Sequence, residues 1–329
     1  MRVLIVKTSS MGDVVHALPA VSDMARALPG IEIDWVVERG FAAMPSQHRA
    51  VRRVLPLQWR KWRKSLRTPE TRAAIRAWRH EMSRDRYDLI IDMQGLLKSA
   101  AFACFAQGPR GGYDWHSIRE PLASLTYSRK AQVSRQLHAV DRCRQLAAQL
   151  LGYPLPDTPP DFGLQASPEA WVPRAGRAFA VLIPCASRPE KLWPQANWVA
   201  IGQQLRAKGW DVAVMWGSPE EQRLAQAIAD KIDGTVPPFL TVQQAADTLA
   251  QAQVVIGLDT GMSHLAAAHG RPTVGIYCDH EPGLAGLVGS GPVVSLGGKG
   301  QVPSLLQVET ALAQVLSAPR PVPQSPAWP

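Results

Sequence analysis

An aspartate stands where the first apolar segment of the chain gives way to a helical pattern. Residues 3–6 are apolar, residues 7–13 read Lys-Thr-Ser-Ser-Met-Gly-Asp, and helical periodicity follows over residues 14–28. With Gly12 as its single glycine, this loop lacks the Gly-x-Gly-x-x-Gly fingerprint of dinucleotide sites and the Gly-Lys-Ser/Thr ending of a P-loop. Asp13 is therefore either a helix cap or a carboxylate that can take a proton from a substrate.

The segment formed by residues 259–268 has the features of a diphosphate site. It follows an apolar strand and reads Asp-Thr-Gly-Met-Ser-His before an alanine-rich helix. The free amides of residues 261–263 are therefore expected to point outward, with the positive end of the helix dipole behind them. Asp259 would repel a phosphate and is better placed to accept hydrogen bonds from sugar hydroxyls. In the alternative, Asp259 or Ser263 caps the helix and His264 packs in the core.

Two further loops follow predicted strands and carry charge. After the strand at residues 179–183, Lys191 can neutralise a diphosphate and Ser187 can donate a hydrogen bond to it, unless Lys191 is simply a solvated loop lysine. After the strand at residues 211–215, either Glu220 or Glu221 can bind a ribose diol. The chain contains no Asp-x-Asp pair, so the diphosphate charge is expected to be met by lysine and amides, without a metal ion or other cofactor.

The excess positive charge is concentrated in residues 49–86. This stretch has thirteen Arg or Lys against three acids, a net +10, whereas the whole chain carries +9. Trp59 and Trp62 alternate with its cations, which suits an anionic membrane surface or a phosphorylated lipid. The alternative is an ordinary helix with solvated arginines, packed by an apolar stripe of Ile75, Trp78 and Met82.

The order of strands and helices predicts an α/β fold. Apolar strands alternate with helices in both halves, which indicates parallel sheets covered on both faces. A proline-rich connector lies within residues 152–167, so we predict two doubly wound domains facing across a cleft, residues 1–160 and 161–318. Residues 319–329 contain five prolines and are expected to be a disordered tail. The strands are predicted at residues 3–6, 31–37, 89–92, 179–183, 211–215, 254–258 and 273–277.

Composition limits the classes of protein that the chain can belong to. It has 329 residues, of which 46% are hydrophobic and 19% charged, values typical of a globular protein. The four cysteines lack metal-ligand spacing and are expected to be buried thiols. The amino-terminal apolar run is too short for a signal peptide, and no run approaches the ~18 residues of a membrane span. A cytoplasmic protein, with an acidic partner for its positive charge, is expected.

These segments together resemble the ADP-heptose:lipopolysaccharide heptosyltransferases, and within them the heptosyltransferase I group. The resemblance spans residues 3–316. Five pieces in the same order make it specific, namely residues 7–13, 91–99, 114–123, 191–194 and 259–268. The chain departs from the family at Ala186-Ser187, where members often have two hydroxyl residues, so one contact to phosphate is missing.

The resemblance implies a GT-B architecture of two Rossmann-like domains, with the acceptor on the first and the donor on the second. It implies inverting transfer of L-glycero-D-manno-heptose from ADP-heptose to the Kdo sugar of Kdo-lipid A, at the cytoplasmic face of the inner membrane, with no nucleic-acid partner. Asp13 matches the general base. Donor contacts are implied for Ser187, Lys191, Glu220, Glu221, Leu240, Asp259, Thr260, Gly261, Met262 and His264. Acceptor contacts are implied for Ser10, Gly12, Arg60, Arg63, Lys64, Gln94, Lys98 and Arg119.

Three alternatives remain at this point. One is a later heptosyltransferase of the same family with a heptose acceptor, although residues 114–123 favour the first transferase. Another is a nicotinamide-dependent oxidoreductase, against which the missing glycine fingerprint counts. The third is a non-catalytic protein that binds a nucleotide sugar or nucleic acid, which gives no reason for Asp13 in its loop.

Overall fold

The computed structural model describes residues 1–319, which form two compact units. The chain passes from the first unit to the second between residues 165 and 166. Each unit is a parallel β-sheet with helices packed on it, so the predicted α/β fold with two doubly wound domains is confirmed. The division falls inside the proline-rich connector, five residues after the predicted boundary. The predicted tail lies outside the described residues from residue 320 onward.

The first unit is built on a six-stranded sheet within residues 1–165. Its strands are β1 (Arg2–Val6), β2 (Glu32–Glu38), β3 (Val51–Leu57), β4 (Leu89–Asp92), β5 (Arg110–Tyr113) and β6 (Arg129–Ala131). Its helices are α1 (Met11–Ala27), α2 (Ala43–Ser46), α3 (Trp59–Trp62), α4 (Pro69–Met82), α5 (Leu97–Ala103) and α6 (Ala139–Leu151), with short 3-10 helices at Arg39–Phe41 and Pro121–Thr126.

The strand order of the first sheet is β3-β2-β1-β4-β5-β6, and every pairing is parallel. The order reverses between β1 and β4, so the loops that leave these two strands diverge at the carboxyl edge of the sheet. Such a reversal is where open α/β sheets bind ligands. Two loops flank this reversal. The loop after β1 leads into α1 and Asp13, and the loop after β4 contains Gln94.

Helix α1, which carries Asp13, is fixed to α6 by a buried ion pair. The Nε of Arg144 donates to Oδ2 of Asp23 over 2.7 Å, and both side chains are almost wholly buried. The same guanidinium donates to the carbonyl oxygens of Pro156 and Thr158, 3.2 and 3.0 Å away, and so ties down the proline-rich connector. Burial raises the pKa of the Asp23 carboxyl, and the contacts with Arg144 oppose that shift.

The second unit is built on a five-stranded sheet within residues 166–319. Its strands are β7 (Phe179–Ile183), β8 (Asp211–Val214), β9 (Val254–Leu258), β10 (Thr273–Tyr277) and β11 (Val293–Gly297). Its helices are α7 (Gln195–Ala207), α8 (Pro219–Ile232), α9 (Val242–Gln251), α10 (Gly261–Ala268) and α11 (Leu305–Ser317), and a 3-10 helix spans Pro189–Lys191.

The strand order of the second sheet is β11-β10-β9-β7-β8, again all parallel. One face is covered by α7, α8 and α11, whose apolar side chains form a single cluster with the strands. The order reverses between β7 and β9. The loops that leave these strands carry Lys191 and Asp259, so the reversal again brings predicted site residues to one edge of a sheet.

The basic stretch of residues 49–86 does not form one cationic face. It contains β3, from which Arg52 reaches the buried carboxylate of Asp34 over 2.6 Å. Trp62 is buried and packs edge to face on Trp78 of α4, with ring centroids 6.1 Å apart, so the tryptophans belong to the core as in the alternative of an ordinary packed helix. Besides Arg52, the cations that stay exposed are Arg60, Lys61, Arg63, Lys64, Arg67, Arg72, Arg76, Arg79, Arg84 and Arg86.

We predict that Arg144→Met destabilises the protein by about 3–5 kcal/mol, because it leaves the buried Asp23 carboxylate without its partner. Arg84→Met is the matched control, since Arg84 pairs with Glu81 on the surface and such pairs contribute only about 0–1 kcal/mol. Urea unfolding of both variants measures the difference. Equal unfolding free energies for the two would show that the pair does not hold α1 to α6.

Candidate active site

Asp13 caps its own helix with one carboxylate oxygen. The backbone amide and the hydroxyl of Ser10 donate to Oδ2 of Asp13 over 2.7 and 2.8 Å, which closes a capping box at the start of α1. The side chain of Asp13 is 42% exposed, and its Oδ1 lies 3.9 Å from the Nζ of Lys7. The N-cap itself is Ser10, and Asp13 takes part in the capping box from the third position of the helix. The proton-accepting role stays a prediction for Oδ1.

Lys7 is an almost buried cation that faces Asp13. Only 8% of Lys7 is exposed, and its Nζ donates to the carbonyl oxygen of Met93 over 3.1 Å. A buried lysine needs a partner to offset the loss of hydration, and here the partners are a carbonyl of the β4 loop and the Asp13 carboxylate. Sequence reasoning gave Lys7 no role, although a charged residue directly after a buried strand is a visible signal.

Gln94 holds the loop that carries Asp13. Its Oε1 accepts hydrogen bonds from the amides of Thr8 and Ser9, 3.0 and 3.2 Å away. Asp92, which is fully buried, accepts from the amide of Gln94 over 2.9 Å and from the amide of Gly95 over 3.1 Å. The predicted acceptor contact of Gln94 would have to come from its Nε2, since the oxygen is committed to the backbone.

The other predicted acceptor residues also lie toward the carboxyl edge of the first sheet. Arg60 lies in the first turn of α3 beside the end of β2, because its amide donates to Glu38, the last residue of that strand, over 2.6 Å. Its guanidinium lies 5.0 Å from the ring centroid of Phe41, within cation–π distance. Gly12 is in the first turn of α1. Exposed side chains are found at Arg63, Lys64, Lys98 and Arg119.

In the second unit, Lys191 and Asp259 form an ion pair across the strand-order reversal. The Nζ of Lys191 donates to Oδ2 of Asp259 over 2.5 Å and to the Asp259 carbonyl oxygen over 3.3 Å. His264 is buried on α10, and its Nε2 lies 3.7 Å from Oδ1 of Asp259. Lys191 is therefore not a freely solvated loop lysine, and His264 both packs in the core and faces the carboxylate.

The Asp259 carboxyl is held ionised by these neighbours. Burial of the group raises its pKa, but the hydrogen bond with His264 and the contacts with Lys191 outweigh burial and lower the pKa to about 2. A carboxylate in this state accepts hydrogen bonds and does not donate a proton near neutral pH. It is thus suited to bind hydroxyl groups and to keep the Lys191 ammonium in place.

The start of α10 offers fewer amides than predicted. Ser263 donates its amide to the carbonyl oxygen of Thr260 over 3.1 Å and its hydroxyl to that of Leu258 over 2.7 Å, so the expected contribution of the Ser263 amide is corrected. Within residues 1–319 the amides of Gly261 and Met262 have no recorded acceptor. They point from the positive end of the helix dipole, as an anion site requires.

Glu220 and Glu221, the two candidates for the ribose contact, differ in their surroundings. Glu221 is half-buried, and its Oε2 accepts from the amide of Gly217 over 2.8 Å at the carboxyl end of the strand. Glu220 is exposed. A hydrogen bond from its own backbone amide, together with one from the hydroxyl of Ser218 over 3.0 Å, lowers the pKa of its carboxyl. Ser187 is exposed in the loop after β7. Glu221 is thus closer to the sheet edge than Glu220.

An aromatic pair beside Leu240 was missed by the sequence reasoning. Phe239 is 63% exposed, and its ring centroid lies 5.7 Å from that of Trp216. The Nε1 of Trp216 donates to the carbonyl oxygen of Pro237 over 2.8 Å, which fixes this indole. Leu240 is half-buried next to them. An exposed phenylalanine beside a predicted apolar contact was the available signal. The two rings meet at 62°, so the exposed Phe239 ring by itself is the aromatic contact available to a planar ligand.

Comparison with known proteins decides the family. The profile of glycosyltransferase family 9 (heptosyltransferase) matches residues 75–310. Lipopolysaccharide heptosyltransferase 1 from Escherichia coli strain K12 is 43% identical over 296 residues, which cover 89% of this chain and 93% of that protein. The chain belongs to glycosyltransferase family 9. The alternatives of an oxidoreductase and of a non-catalytic binding protein fall with this finding, because this is a family of transferases.

Solved structures agree with the family. The structure of E. coli heptosyltransferase WaaC with ADP matches this glycosyltransferase with a TM-score of 0.88 and 40% identity, over 95% of this chain and 99% of that one. The structure of E. coli WaaC with ADP-2-deoxy-2-fluoro heptose matches with a TM-score of 0.84 and 39% identity, over 95% and 98% of the two chains. Within residues 1–319 of this family 9 enzyme, no helix is long and apolar enough to cross a membrane.

The ionisation of Asp259 predicts a pH-dependent contribution to the stability of the glycosyltransferase. The carboxyl has a pKa of about 2 in the folded enzyme and about 3.9 when unfolded, so its contribution is complete above the unfolded value and is lost as pH falls toward 2. Asp259→Asn should therefore unfold more easily than wild type at pH 7, by on the order of 2 kcal/mol. The gap should close between about pH 5 and pH 2.

Urea unfolding across a pH series measures this gap. Asp157→Asn is the matched control, because Asp157 is exposed and no hydrogen bond or ion pair is recorded for it within residues 1–319. A difference between wild type and Asp259→Asn that does not change with pH would show that the carboxylate is not held by Lys191 and His264.

Proposed function

We propose that this glycosyltransferase moves L-glycero-D-manno-heptose from ADP-heptose to the Kdo sugar of Kdo-lipid A, in the assembly of the lipopolysaccharide inner core. The relative at 43% identity is a lipopolysaccharide heptosyltransferase 1, and the matching solved structures contain ADP and an ADP-heptose analogue. The observation that carries the proposal is the Lys191–Asp259 pair beside the amides that begin α10. This arrangement joins a cation for a diphosphate to a carboxylate for a sugar.

The Lys191–Asp259 pair can serve both parts of the donor at once. The Lys191 ammonium has three N–H donors, two of which point to the carboxylate and carbonyl oxygens of Asp259, so the third is available for a phosphate oxygen. The two carboxylate oxygens of Asp259 offer about four lone-pair sites. Hydroxyls of the heptose can therefore bind Asp259 without displacing Lys191, which fixes the sugar relative to its leaving group.

The remainder of the donor is assigned to the other loops at this sheet edge. The amides of Gly261 and Met262 face the diphosphate, with Thr260 before them and Ser187 as a hydroxyl donor from the β7 loop. Glu221 is favoured over Glu220 for the ribose diol, because the amide of Gly217, in the loop that leaves β8, fixes one of its carboxylate oxygens. The adenine is assigned to Leu240, with Phe239 beside it as an additional aromatic contact.

Asp13 acts as the general base on the acceptor. Its Oδ1 takes the proton of the Kdo hydroxyl while the oxygen forms a bond to the anomeric carbon of the heptose. The bond from that carbon to the diphosphate breaks at the same time, and its electron pair leaves with ADP. A single displacement of this kind inverts the anomeric centre. Lys191 and the α10 amides stabilise the charge that develops on the leaving diphosphate, so a metal-independent reaction is proposed.

We assign the enzyme to the cytoplasmic face of the inner membrane, where it binds peripherally. The support is the charge of the first unit, in which Arg60, Arg63 and Lys64 are exposed near the carboxyl edge of the sheet. Each cation near an anionic bilayer contributes about 1 kcal/mol of attraction. The same side chains can contact phosphate groups of lipid A, which places them among the acceptor residues together with Lys98 and Arg119.

Heptose transfer is tested directly by incubating the enzyme with Kdo-lipid A and ADP-heptose and measuring the mass of the lipid. We expect a gain of one heptose, and we expect Asp13→Asn to slow it by roughly 10²–10⁴-fold, because asparagine keeps the cap but cannot take the proton. Asp157→Asn, an exposed aspartate in the same unit, should be as active as wild type.

Two outcomes would change the assignment. Transfer only to an acceptor that already carries heptose would identify a later heptosyltransferase. A loss of less than about fivefold in Asp13→Asn would leave Asp13 with the cap alone, because general-base catalysis contributes far more than that.

We predict that Lys191→Ala weakens ADP binding and slows transfer together, because one charge acts on the bound diphosphate and on the leaving group. Loss of a charge-assisted hydrogen bond costs about 1.5–3 kcal/mol, which is roughly a 10- to 150-fold increase in Kd. Calorimetric titration with ADP is the measurement. Lys208→Ala, an exposed lysine at the end of α7, is the control, and equal ADP affinity in both variants would remove Lys191 from the donor site.

A further inference from the structure

Three leucines of the first unit are exposed on neighbouring elements. Leu97 begins α5 and is 48% exposed, while Leu122 and Leu125 lie on the 3-10 helix Pro121–Thr126 and are 57% and 67% exposed. Residues three apart on a 3-10 helix lie one above the other, so Leu122 and Leu125 share a face. We call these three side chains the leucine strip.

Glu120 connects the two elements of the leucine strip. Its Oε2 accepts from the amide of Leu97 over 2.7 Å, and its own amide donates to the carbonyl oxygen of Gly95 over 3.2 Å. The 3-10 helix is therefore fixed against the loop that also contains Gln94, the residue that holds the Asp13 loop. The strip thus begins beside the loops assigned to the acceptor.

Four exposed cations lie close to the leucine strip in sequence. Lys98 follows Leu97 in sequence, Arg119 precedes the 3-10 helix by two residues, and Arg129 and Lys130 begin β6, three and four residues after the helix ends. All four are exposed, and no ion pair is recorded for them among residues 1–319. Glu120 contributes one negative charge among these four cations, so the charge around the strip remains positive.

Apolar side chains surrounded by cations match the chemistry of an anionic bilayer surface. Exposed leucines can enter the boundary between headgroups and acyl chains, and lysine and arginine contact the negative headgroups. In residues 49–86 Leu66 is the one large apolar side chain that is similarly exposed, at 45%, because Trp62 and Trp78 of that stretch are buried, so the exposed cations there surround a single leucine and not a group of three. We propose that the leucine strip with its four cations is the element that docks the enzyme on an anionic membrane, an inference that rests on the proposed lipid-borne acceptor.

Docking by insertion has a consequence for the reaction. A strip that begins beside the Gln94 loop and enters the bilayer boundary keeps the acceptor loops close to the headgroup layer, where the sugar of a lipid acceptor is found. The strip therefore raises the local concentration of acceptor without touching the reacting atoms. Its leucines are docking residues and not catalytic ones.

The test compares wild type with Leu122→Gln/Leu125→Gln, and uses Leu284→Gln/Leu306→Gln as a matched control of two exposed leucines in the second unit. Each protein is sedimented with phosphatidylcholine vesicles that contain about 30% phosphatidylglycerol, in buffer of about 0.15 M salt. We expect binding of the strip variant to fall by at least about fivefold, with the control unchanged. Thermal unfolding checks that all three proteins are folded.

Activity separates this inference from the proposed function. With Kdo-lipid A dispersed in detergent the strip variant should match wild type, and with the same lipid in vesicles it should be slower in proportion to its lost binding. No transfer by wild type in detergent would reject the proposed function and leave the vesicle measurement to judge the strip. Equal vesicle binding by strip variant and wild type, no vesicle binding by either, or a wild-type dimer that the strip substitutions dissociate would each overturn the inference.

Discussion

Each sheet of this enzyme reverses its strand order once, and the two loops that leave the sheet at that point must diverge. The divergence leaves backbone amides and carbonyls without the hydrogen bonds that a neighbouring strand would supply. In the first unit Gln94 accepts from the amides of Thr8 and Ser9, and Lys7 donates to Met93. In the second unit a lysine reaches across to an aspartate, both to its carboxylate and to its carbonyl oxygen. The same side chains thus hold the loops in place and present charge at the edge where ligands bind.

The degree of burial decides what each carboxylate at these edges can do. Asp92 is wholly buried, and burial raises the pKa of its carboxyl, against hydrogen bonds from Tyr127, Ser99 and two backbone amides. Asp92 therefore anchors the loop that contains Gln94. Asp259 is partly open to solvent, and its neighbours bring its pKa to about 2. A carboxylate that stays charged and can be reached from outside is available to a substrate, whereas one that is enclosed by its own fold is not.

The parts of the fold that were predictable from sequence are those in which one residue pattern has one structural solution. Strands buried on both faces, such as Phe179–Ile183 and Val254–Leu258, were predicted to the residue because their apolar runs are bounded by turns. The strands Arg110–Tyr113 and Arg129–Ala131 were missed, since they are short and polar. Gly112 is there because a side chain at that position would lie 2.4 Å from the ring of Tyr127, a contact between distant residues that no local pattern reveals.

The candidate site also has parts that the sequence predicts and parts that it does not. Motif residues such as Lys191 and Asp259 were recognisable one by one, but their pairing depends on β7 and β9 being neighbours in the sheet, which the sequence does not state. The tryptophans of residues 49–86 could be interpreted as membrane-facing or as core residues, because the cations between them obscure the apolar pattern of the sequence. Packing against Phe102 and Trp78 decided for the core. Pairwise contacts over long sequence separations are therefore what the structure adds.

The two interpretations of Asp13, cap and base, describe different oxygens of one carboxylate. Oδ2 is occupied by the amide and hydroxyl of Ser10, and these two bonds fix the side-chain torsions at the start of α1. Fixing Oδ2 also fixes the direction of Oδ1, which lies 3.9 Å from the Nζ of Lys7 on a side chain that is 42% exposed. A general base gains from such a constraint, because the orientation that the reaction needs is set before the substrate arrives. In the proposed mechanism, the hydrogen bonds of the helix cap are thus what orients the general base.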